Sequence, residues 1–308
     1  MKKHILIYAI SGVVSALSIN ALADEATTPV ADATTVGTAP SAPASPLTVT
    51  ANINLVSDYY FRGISQTWHK PAVQGGVDVA HSSGAYAGLW FSNVSEDSYP
   101  GGGLEVDYYF GYNGTFGEAV KDLGWTVGGY GYYYPGASYS NSLPVAGANE
   151  DFNTFELNAG LSYKWLSAKV SVDTTDWYGA NSKTGFDGNT KGSYYAELNA
   201  AIPLPVWDLT LVGHVARENV SGKVSLVSNP GYTGKTNPDY TDYKIGLSKT
   251  FKIANSEGWN AGLYYIGATN GGDTGYWGKN GWGGASFLGH SSKDLADAHF
   301  VLTVGRTF

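Results

Sequence analysis

Apolar and polar side chains alternate along four long segments of the chain, as in "GLEVDYYFGY" at 103–112. The same alternation runs through "VTANINLVSDYYF" (49–61), "FELNAGLSYKW" (155–165) and "YYAELNAAI" (194–202). A period of two residues predicts β-strands with one apolar and one polar face. The apolar face carries no charge, whereas the other face carries Asp58, Glu105, Asp107, Glu156, Lys164 and Glu197. The pairing register is therefore strongly specified, because a one-residue slip would exchange the two faces.

Weaker alternating segments bring the expected total to about twelve strands. They lie at about 72–81, 85–94, 125–134, 168–175, 208–216, 241–250, 258–267 and 298–308. Short connections alternate with long ones that are rich in Gly, Asn, Ser and Asp: 135–152, 176–192, 217–240 and 268–297. This alternation predicts an all-β, up-and-down antiparallel meander. "FGEAVKDLG" at 116–124 suggests one helical turn, and the link 113–124 is longer than the alternation of link lengths predicts.

Two architectures share this strand pattern. In a soluble sandwich the apolar face is a core, whereas in a transmembrane barrel it meets lipid and the polar face lines a wet interior. Segment length favours the barrel, because tilted membrane strands need about 9–11 residues and globular strands average about 5–6. Aromatic residues near the segment ends are typical of the girdles at bilayer interfaces. The predicted girdle comprises Tyr59, Phe61, Phe110, Tyr112, Tyr163 and Trp165.

The ends of the chain indicate export. Residues 1–23 combine a basic start, an apolar run and a small-residue "ALA", which together predict a cleaved secretory signal peptide. The Ala/Thr/Pro-rich segment 24–47 predicts a flexible periplasmic leader, which leaves 48–308 for the barrel. The C-terminal "HFVLTVGRTF" alternates and ends in Phe308, a pattern typical of outer-membrane barrels and of recognition by their assembly machinery.

The stretches "LVSDYYFRGISQT" (55–67), "PAVQGGVDVAHSSGAYAGLWFSNV" (71–94) and "LEVDYYFGY" (104–112) resemble the TorF-type porin family of the Gram-negative outer membrane. The resemblance extends over about 48–308. It implies a β-barrel and a channel, and it implies neither a defined cargo nor a catalytic set.

Composition narrows the classes further. Charged residues make up 14% of the chain, below the roughly 25% of soluble domains. The net charge of −8 becomes −10 once the signal peptide, with its two lysines, is removed. This acidic balance argues against nucleic-acid binding. The chain contains no cysteine, so neither disulfides nor thiolate metal sites are available.

The polar face holds the candidate chemistry, since rings of charged side chains set the selectivity of pores. The predicted lumen charges are Asp58, Asp78, Glu105, Asp107, Glu156, Lys164, Lys169, Asp173, Glu197 and Lys244. Their acidic excess favours cations, but equally these charges could pair across the interior and plug it. Barrels of about eight strands are filled by side chains and barrels of about 16–18 strands hold a water channel, so twelve strands lie between the two cases. Arg62 is expected to brace the rim against Asp58, with a lipid headgroup or a substrate as the other candidate contacts.

These observations predict an outer-membrane channel for passive diffusion of small polar solutes or ions, with a mild cation preference. The mouth is expected to be narrowed by 217–240 or 268–297. A non-conducting surface barrel that acts through its long loops is the first alternative, and a barrel hydrolase is the second. No cofactor, metal or catalytic residue is predicted, because the histidines are scattered without metal-like spacing. Outer-membrane lipid and the solutes are the expected partners.

Overall fold

Twelve long antiparallel strands close into a barrel in which each strand pairs with its neighbours along the chain. The computed structural model describes residues 45–141, 148–225, 235–272, 275–279, 281, 283–284, 286 and 289–308. The strands are β1 (Leu47–Val56), β2 (Ala72–His81), β3 (Ala85–Asn93), β4 (Leu104–Thr115), β5 (Leu123–Tyr133), β6 (Thr154–Tyr163), β7 (Leu166–Asp173), β8 (Tyr194–Pro203), β9 (Leu209–Asn219), β10 (Tyr240–Ile253), β11 (Ser256–Ala268) and β12 (His299–Thr307).

The barrel closes where β12 pairs with β1, through a register that places Leu55 opposite Val304. The backbone of Phe308 continues this pairing, since its amide donates to the carbonyl of Ala51 at 2.8 Å. The predicted fold class, an up-and-down antiparallel barrel of about twelve strands, is confirmed. The predicted signal peptide (1–23) and residues 24–44 of the leader lie outside the described residues, as do parts of the links 135–152, 217–240 and 268–297.

Strand β4 shows which face points outwards. Leu104, Tyr108 and Phe110 are exposed on the outer surface, whereas Glu105 and Asp107 are 0% exposed. The two carboxylates alternate with the apolar side chains along one strand, so they lie on the opposite, interior face of the closed sheet. The apolar face is therefore the outside of this barrel and the polar face is its inside.

Short turns gather at one end of the barrel and long links at the other. The short turns are 82–84, 116–122, 164–165, 204–208 and 254–255, and the long links are 57–71, 94–103, 134–153, 174–193, 220–239 and 269–298. The predicted helical turn is present as the 3₁₀ turn Gly117–Ala119. The link around it is shorter than the sequence suggested, because β4 runs on to Thr115 and β5 begins at Leu123.

Small elements occupy the long links. Two short strand pairs, Tyr60–Phe61 with Ile64–Ser65 and Val224–Ser225 with Lys235–Thr236, lie outside the barrel sheet. Further 3₁₀ turns are Tyr139–Asn141, Trp177–Gly179 and Ser182–Thr184. Among the described residues, no helix is long and apolar enough to cross a membrane.

The link 57–71, named here the inserted segment, folds into the barrel, and residues 58–68 are all buried. Its hairpin turns at Arg62 (φ 49°) and Gly63 (φ 75°), and positive φ at both central residues is typical of a two-residue hairpin turn. A Cβ on Gly63 would lie 2.4 Å from the Cβ of Asp242, so only glycine fits there. Sequence analysis predicted that the longest links, 217–240 or 268–297, narrow the mouth of the barrel. In the structure the shorter link 57–71 enters the interior.

Two of the predicted girdle residues lie in the inserted segment instead. Tyr59 packs on Trp90 with ring centroids 5.4 Å apart, and Phe61 packs edge-on against Tyr132 at 5.3 Å, both inside the barrel. The girdle prediction is therefore wrong for Tyr59 and Phe61. The reason is that β1 ends at Val56, where the chain turns inwards while its alternation continues.

Candidate functional site

Six carboxylates are almost fully buried in the barrel interior, each at most 3% exposed: Glu105, Asp107, Glu156, Asp173, Glu218 and Asp242. They project from β4, β6, β7, β9 and β10, because each occupies an interior-facing position of its alternating strand. Glu156 and Asp173 are direct partners across the β6–β7 pair. Like charges directly opposite each other destabilise a sheet, so this wall of the barrel favours a nearby cation.

Arg62 supplies that cation from the tip of the inserted segment. Its Nη2 lies 2.7 and 2.8 Å from the two carboxylate oxygens of Glu156, and its Nη1 lies 3.0 Å from Oε2 of Glu218. The guanidinium also lies over the rings of Tyr195 and Phe61, 4.1 and 4.9 Å from their centroids. Charge-assisted hydrogen bonds and ring faces therefore surround the buried guanidinium.

The structure corrects the expected role of Arg62. Arg62 does not brace the rim against Asp58, because the two-residue turn carries its side chain into the interior and towards the far wall. Around the closed barrel, β6 with Glu156 is five strands from β1 in one direction, and β9 with Glu218 is four strands away in the other. The inserted segment therefore crosses the lumen.

Asp58 ties the inserted segment together at its base. Its carboxylate accepts hydrogen bonds from Ser65 Oγ (2.7 Å) and Thr67 Oγ1 (2.9 Å), and it lies 2.7 Å from Nδ1 of His69. The sequence placed Asp58 on a lumen-facing strand, and that placement is wrong because β1 has already ended. Asp58 is buried within the segment, where its charge holds both arms of the hairpin.

The His69 ring connects Asp58 to the last long link, 269–298. Its second ring nitrogen, Nε2, lies 2.9 Å from the backbone carbonyl of Asp294, so both nitrogens face acceptors. Burial by itself lowers the pKa of His69, but the hydrogen bond and the charge of Asp58 outweigh it and raise the pKa above its usual value. A doubly protonated imidazolium, which donates from both nitrogens, fits this setting.

A polar chain continues across β7 to β10. Lys169 Nζ lies 2.8 Å from Glu197, and the Asn199 amide donates to the same carboxylate at 3.0 Å. His214 bridges onwards, with Nδ1 2.5 Å from Asn199 and Nε2 2.7 Å from Asp242. One hydrogen-bonded chain thus links four strands of the barrel wall.

The other predicted lumen charges occupy separate places. Asp78 is half-buried and accepts a hydrogen bond from the Tyr109 hydroxyl at 2.6 Å. Lys244 is buried, with its ammonium 5.6 Å from the Tyr264 ring. Lys164 does not face the lumen, and that prediction is wrong. It is exposed in the turn after β6, where its positive φ of 54° ends the strand alternation.

Four predicted girdle residues lie on the outer surface: Phe110, Tyr112, Tyr163 and Trp165. They lie towards the short-turn end, since Tyr112 pairs with Ala85 at the start of β3 and Tyr163 pairs with Leu166 beside a turn. Nearer the long-link end, the outer surface carries Tyr133, Tyr194, Tyr265 and Phe300. Aromatic side chains therefore mark the outside towards both ends of the barrel.

Sequence reasoning missed two central carboxylates, Glu218 and Asp242. A usable signal existed, because His214, Ala216 and Glu218 alternate onto one face of β9, and Asp242 lies two residues before the predicted lumen residue Lys244. The predicted strand stopped at 216, short of Glu218, whereas Asp242 lay inside the predicted strand 241–250 and was passed over. Interior positions near strand ends are lost when the strand bounds are short by a few residues.

In the described part of the chain, serine, histidine and aspartate meet at two places, which bears on the hydrolase alternative. Ser65 and His69 both contact Asp58, and Ser286 and His290 both contact Asp97, at 2.5 and 2.8 Å. In each cluster the carboxylate lies between serine and imidazole. In a catalytic triad the imidazole lies between the serine and the carboxylate, so neither cluster has that order. No group of metal-ligating side chains occurs among the described residues.

The strand pairing and the residue faces define a closed twelve-stranded antiparallel β-barrel with an apolar exterior and a charged interior. A family model described as "Bacterial protein of unknown function (Gcw_chp)" matches residues 40–308, and the chain belongs to this family. No curated protein sequence matches the chain.

Several solved barrel structures are similar to this chain at low identity. A KdgM porin is 7% identical with a TM-score of 0.43, over 84% of this chain and 98% of that one. A NanC porin is 9% identical with a TM-score of 0.44, over 85% and 99% of the two chains. OprD of Pseudomonas aeruginosa is 13% identical with a TM-score of 0.33, over 85% and 66%.

Proposed function

We propose that this protein is a narrow, cation-preferring channel of the bacterial outer membrane for small polar solutes or ions. The observation that carries the proposal is the acidic interior crossed by Arg62 on the inserted segment. The resemblance to TorF-type porins agrees with this function and stays part of the proposal.

The outer surface supports a membrane location. Large apolar side chains such as Leu55, Leu263 and Leu302 are about half exposed along the outer face, which is costly in water and favourable in lipid. Aromatic residues lie towards both ends of this surface, where bilayer interfaces favour amphipathic rings. Closure leaves no unpaired strand edge, as a bilayer requires. The predicted signal peptide accounts for export, and an assembly role for Phe308 is part of the proposal.

Charge within the barrel supports the cation preference. Among the described buried residues, the carboxylates are Asp58, Asp97, Glu105, Asp107, Glu156, Asp173, Glu218 and Asp242, and the basic side chains are Arg62, Lys169, His214 and Lys244. Acidic groups in a low-dielectric passage concentrate mobile cations and exclude anions. Since the inserted segment crosses the lumen, passage of larger solutes requires that this segment moves.

Planar-bilayer recording of the purified protein tests the proposal. We expect small stepwise openings and a reversal potential on the cation side in a potassium chloride gradient. Anion selectivity would contradict the acidic-lumen argument. Silence from protein that has demonstrably inserted, with Arg62→Ala silent as well, would overturn the channel.

A second candidate is a non-conducting surface barrel, and one observation favours it. Ion pairs cross the interior and buried aromatic side chains such as Tyr130 and Tyr132 occupy it, so the lumen is partly filled. The function of such a barrel would then reside in its long links. The bilayer experiment separates the two candidates, because only the channel predicts openings.

A further inference from the structure

A cavity with aromatic walls lies where the long links meet the ends of β9 and β10, and Glu218 in its wall has a carboxylate oxygen without a hydrogen-bond partner. We propose that this cavity binds a small organic cation that also carries a hydrogen-bond acceptor. The inference rests on the proposed channel and names the class of solute that its mouth selects. The walls include Phe61, Tyr99, Phe152, Trp177, Tyr240 and Tyr276.

Glu218 is the acidic side chain of this cavity. Its side chain is 1% exposed, and Oε2 takes the hydrogen bond from Arg62 at 3.0 Å. Its other oxygen, Oε1, is buried without a hydrogen-bond partner. A carboxylate oxygen without a hydrogen-bond partner attracts a nearby positive charge, so a cation in the cavity would be stabilised by it.

Three residues that line the cavity also hold a buried polar atom without a hydrogen-bond partner. These atoms are the indole nitrogen of Trp277, the hydroxyl of Tyr178 and the hydroxyl of Ser98. An indole N–H can only donate, so the ligand must offer an acceptor as well as a positive charge. A purely apolar occupant would leave all four atoms unsatisfied.

The aromatic walls complement a cation. Ring faces attract positive charge through their quadrupoles, most strongly where water is excluded. The protein already uses this chemistry with its own guanidinium, since Arg62 lies over the Phe61 ring while it bonds Glu218. Phe61 and Glu218 both also line the cavity, so a ligand cation would meet the same two groups. An anionic ligand would meet the Glu218 charge unfavourably.

The space suits a small molecule. The enclosed part of the cavity measures about 80 Å³, which is room for several water molecules or one compact ligand. A compact alkylammonium with one hydroxyl or carbonyl group fits these limits and supplies both kinds of contact.

Choline and its uncharged isostere 3,3-dimethylbutan-1-ol form a matched pair of probes. Both carry the same shape and hydroxyl group, and only choline is charged. Binding to the full-length protein in detergent would be followed by calorimetry and by tryptophan fluorescence, to which Trp177 and Trp277 in the cavity should contribute. We expect choline to bind about tenfold or more tightly than the alcohol. Equal affinities, or no binding of either probe, would overturn the inference.

Variants locate the site. Glu218→Gln keeps the shape and removes the charge, and it should reduce choline affinity about tenfold or more while the alcohol is unaffected. Trp277→Phe keeps an aromatic wall and removes the N–H, and it should weaken both probes. Glu257→Gln, in an exposed pair with Lys252 beside the short turn at 254–255, is the matched control and should bind as the parent does. Unchanged choline binding in both Glu218→Gln and Trp277→Phe would place the site elsewhere and refute the proposal.

The outcomes separate this inference from the channel proposal. Charge-dependent choline binding by a protein that is silent in bilayers would leave the cavity site standing and remove the channel. Cation-selective openings without choline binding would keep the channel and remove the site.

Discussion

One guanidinium nitrogen of Arg62 contacts both carboxylate oxygens of Glu156, at 2.7 and 2.8 Å, inside the barrel. The two side chains are only 7% and 3% exposed. They are 94 residues apart in the chain, and they join the tip of the inserted segment to the wall of β6. This ion pair, together with Glu218, holds the inserted segment across the lumen.

Removing the Arg62 side chain should release the inserted segment from the far wall of the barrel. We expect Arg62→Ala to increase single-channel conductance several-fold, because the hairpin loses its contacts with the far wall. Loss of one partner of a buried ion pair costs up to about 3–5 kcal/mol, so a lower unfolding free energy should accompany the change. Arg217→Ala removes an arginine that is half exposed on the same strand as Glu218 and serves as the control. Equal conductance of the parent and Arg62→Ala would show that the inserted segment does not limit flow.

Neutralising the β4 carboxylates should reduce cation preference. Glu105 accepts a hydrogen bond from Tyr134, and Asp107 accepts one from Tyr130, both at 2.8 Å. The combined change Glu105→Gln and Asp107→Asn should therefore move the reversal potential in a salt gradient towards zero. Glu118→Gln, exposed in a short turn, should leave it unchanged. A reversal potential that stays at the parent value in the double variant would remove this pair from the ion path.

The His69–Asp58 contact predicts a pH dependence. The folded-state pKa of His69 is raised above its usual value of about 6.5. Its contribution to stability is therefore fully present below the unfolded-state pKa and is lost as pH rises through the higher folded-state pKa. The His69–Asp58 contact at the base of the inserted segment should weaken above that pH.

Conductance measured over a pH series checks this, and it should increase towards alkaline pH. In His69→Asn the rise of conductance with pH should be lost, because the asparagine side chain does not titrate. His81→Asn is the control, since that histidine lies at the short turn after β2 and contacts Ser83. A conductance step that persists in His69→Asn would assign the titration to another group.

A charge on the outer face should be costly in lipid. Leu263 is half exposed at the middle of β11, between Leu247 and Leu302 on the paired strands. Leu263→Arg should lower the unfolding free energy in phospholipid vesicles by about 2–4 kcal/mol, whereas Val206→Arg in the turn after β8 should cost about 0–1 kcal/mol. Equal costs at the two positions would argue that the middle of the barrel does not lie in a bilayer.

The sequence predicted all twelve strands because the signal is local. Alternation along "GLEVDYYFGY" depends only on which face of the strand each side chain takes, and β4 follows it from Leu104 to Thr115. The same reasoning indicated Glu105 and Asp107 as a pair on one polar face. Link lengths added the order of turns, since a short connection can join only neighbouring antiparallel strands.

Alternation cannot indicate where a strand leaves the sheet. The pattern in "LVSDYYF" runs on through Tyr59 and Phe61 after β1 has ended at Val56, so aromatic residues expected on the outside lie inside. Lys164 is a second example, in a short turn. Its left-handed backbone ends the alternation, so its side chain does not take the inward position that the pattern predicted. Nothing near Arg62 in the chain indicates Glu156 or Glu218, which lie 94 and 156 residues further on.

The sequence by itself therefore determined the strands, their faces and the antiparallel order, because each depends on neighbouring residues and on short links. Only the tertiary structure decided that the link 57–71 enters the barrel, that Arg62 pairs with carboxylates on the far wall, and that an aromatic cavity forms above Glu218. The physical reason is that closure of the barrel brings distant strands to face one another. That proximity is a property of the whole sheet and is recorded in no single segment of it.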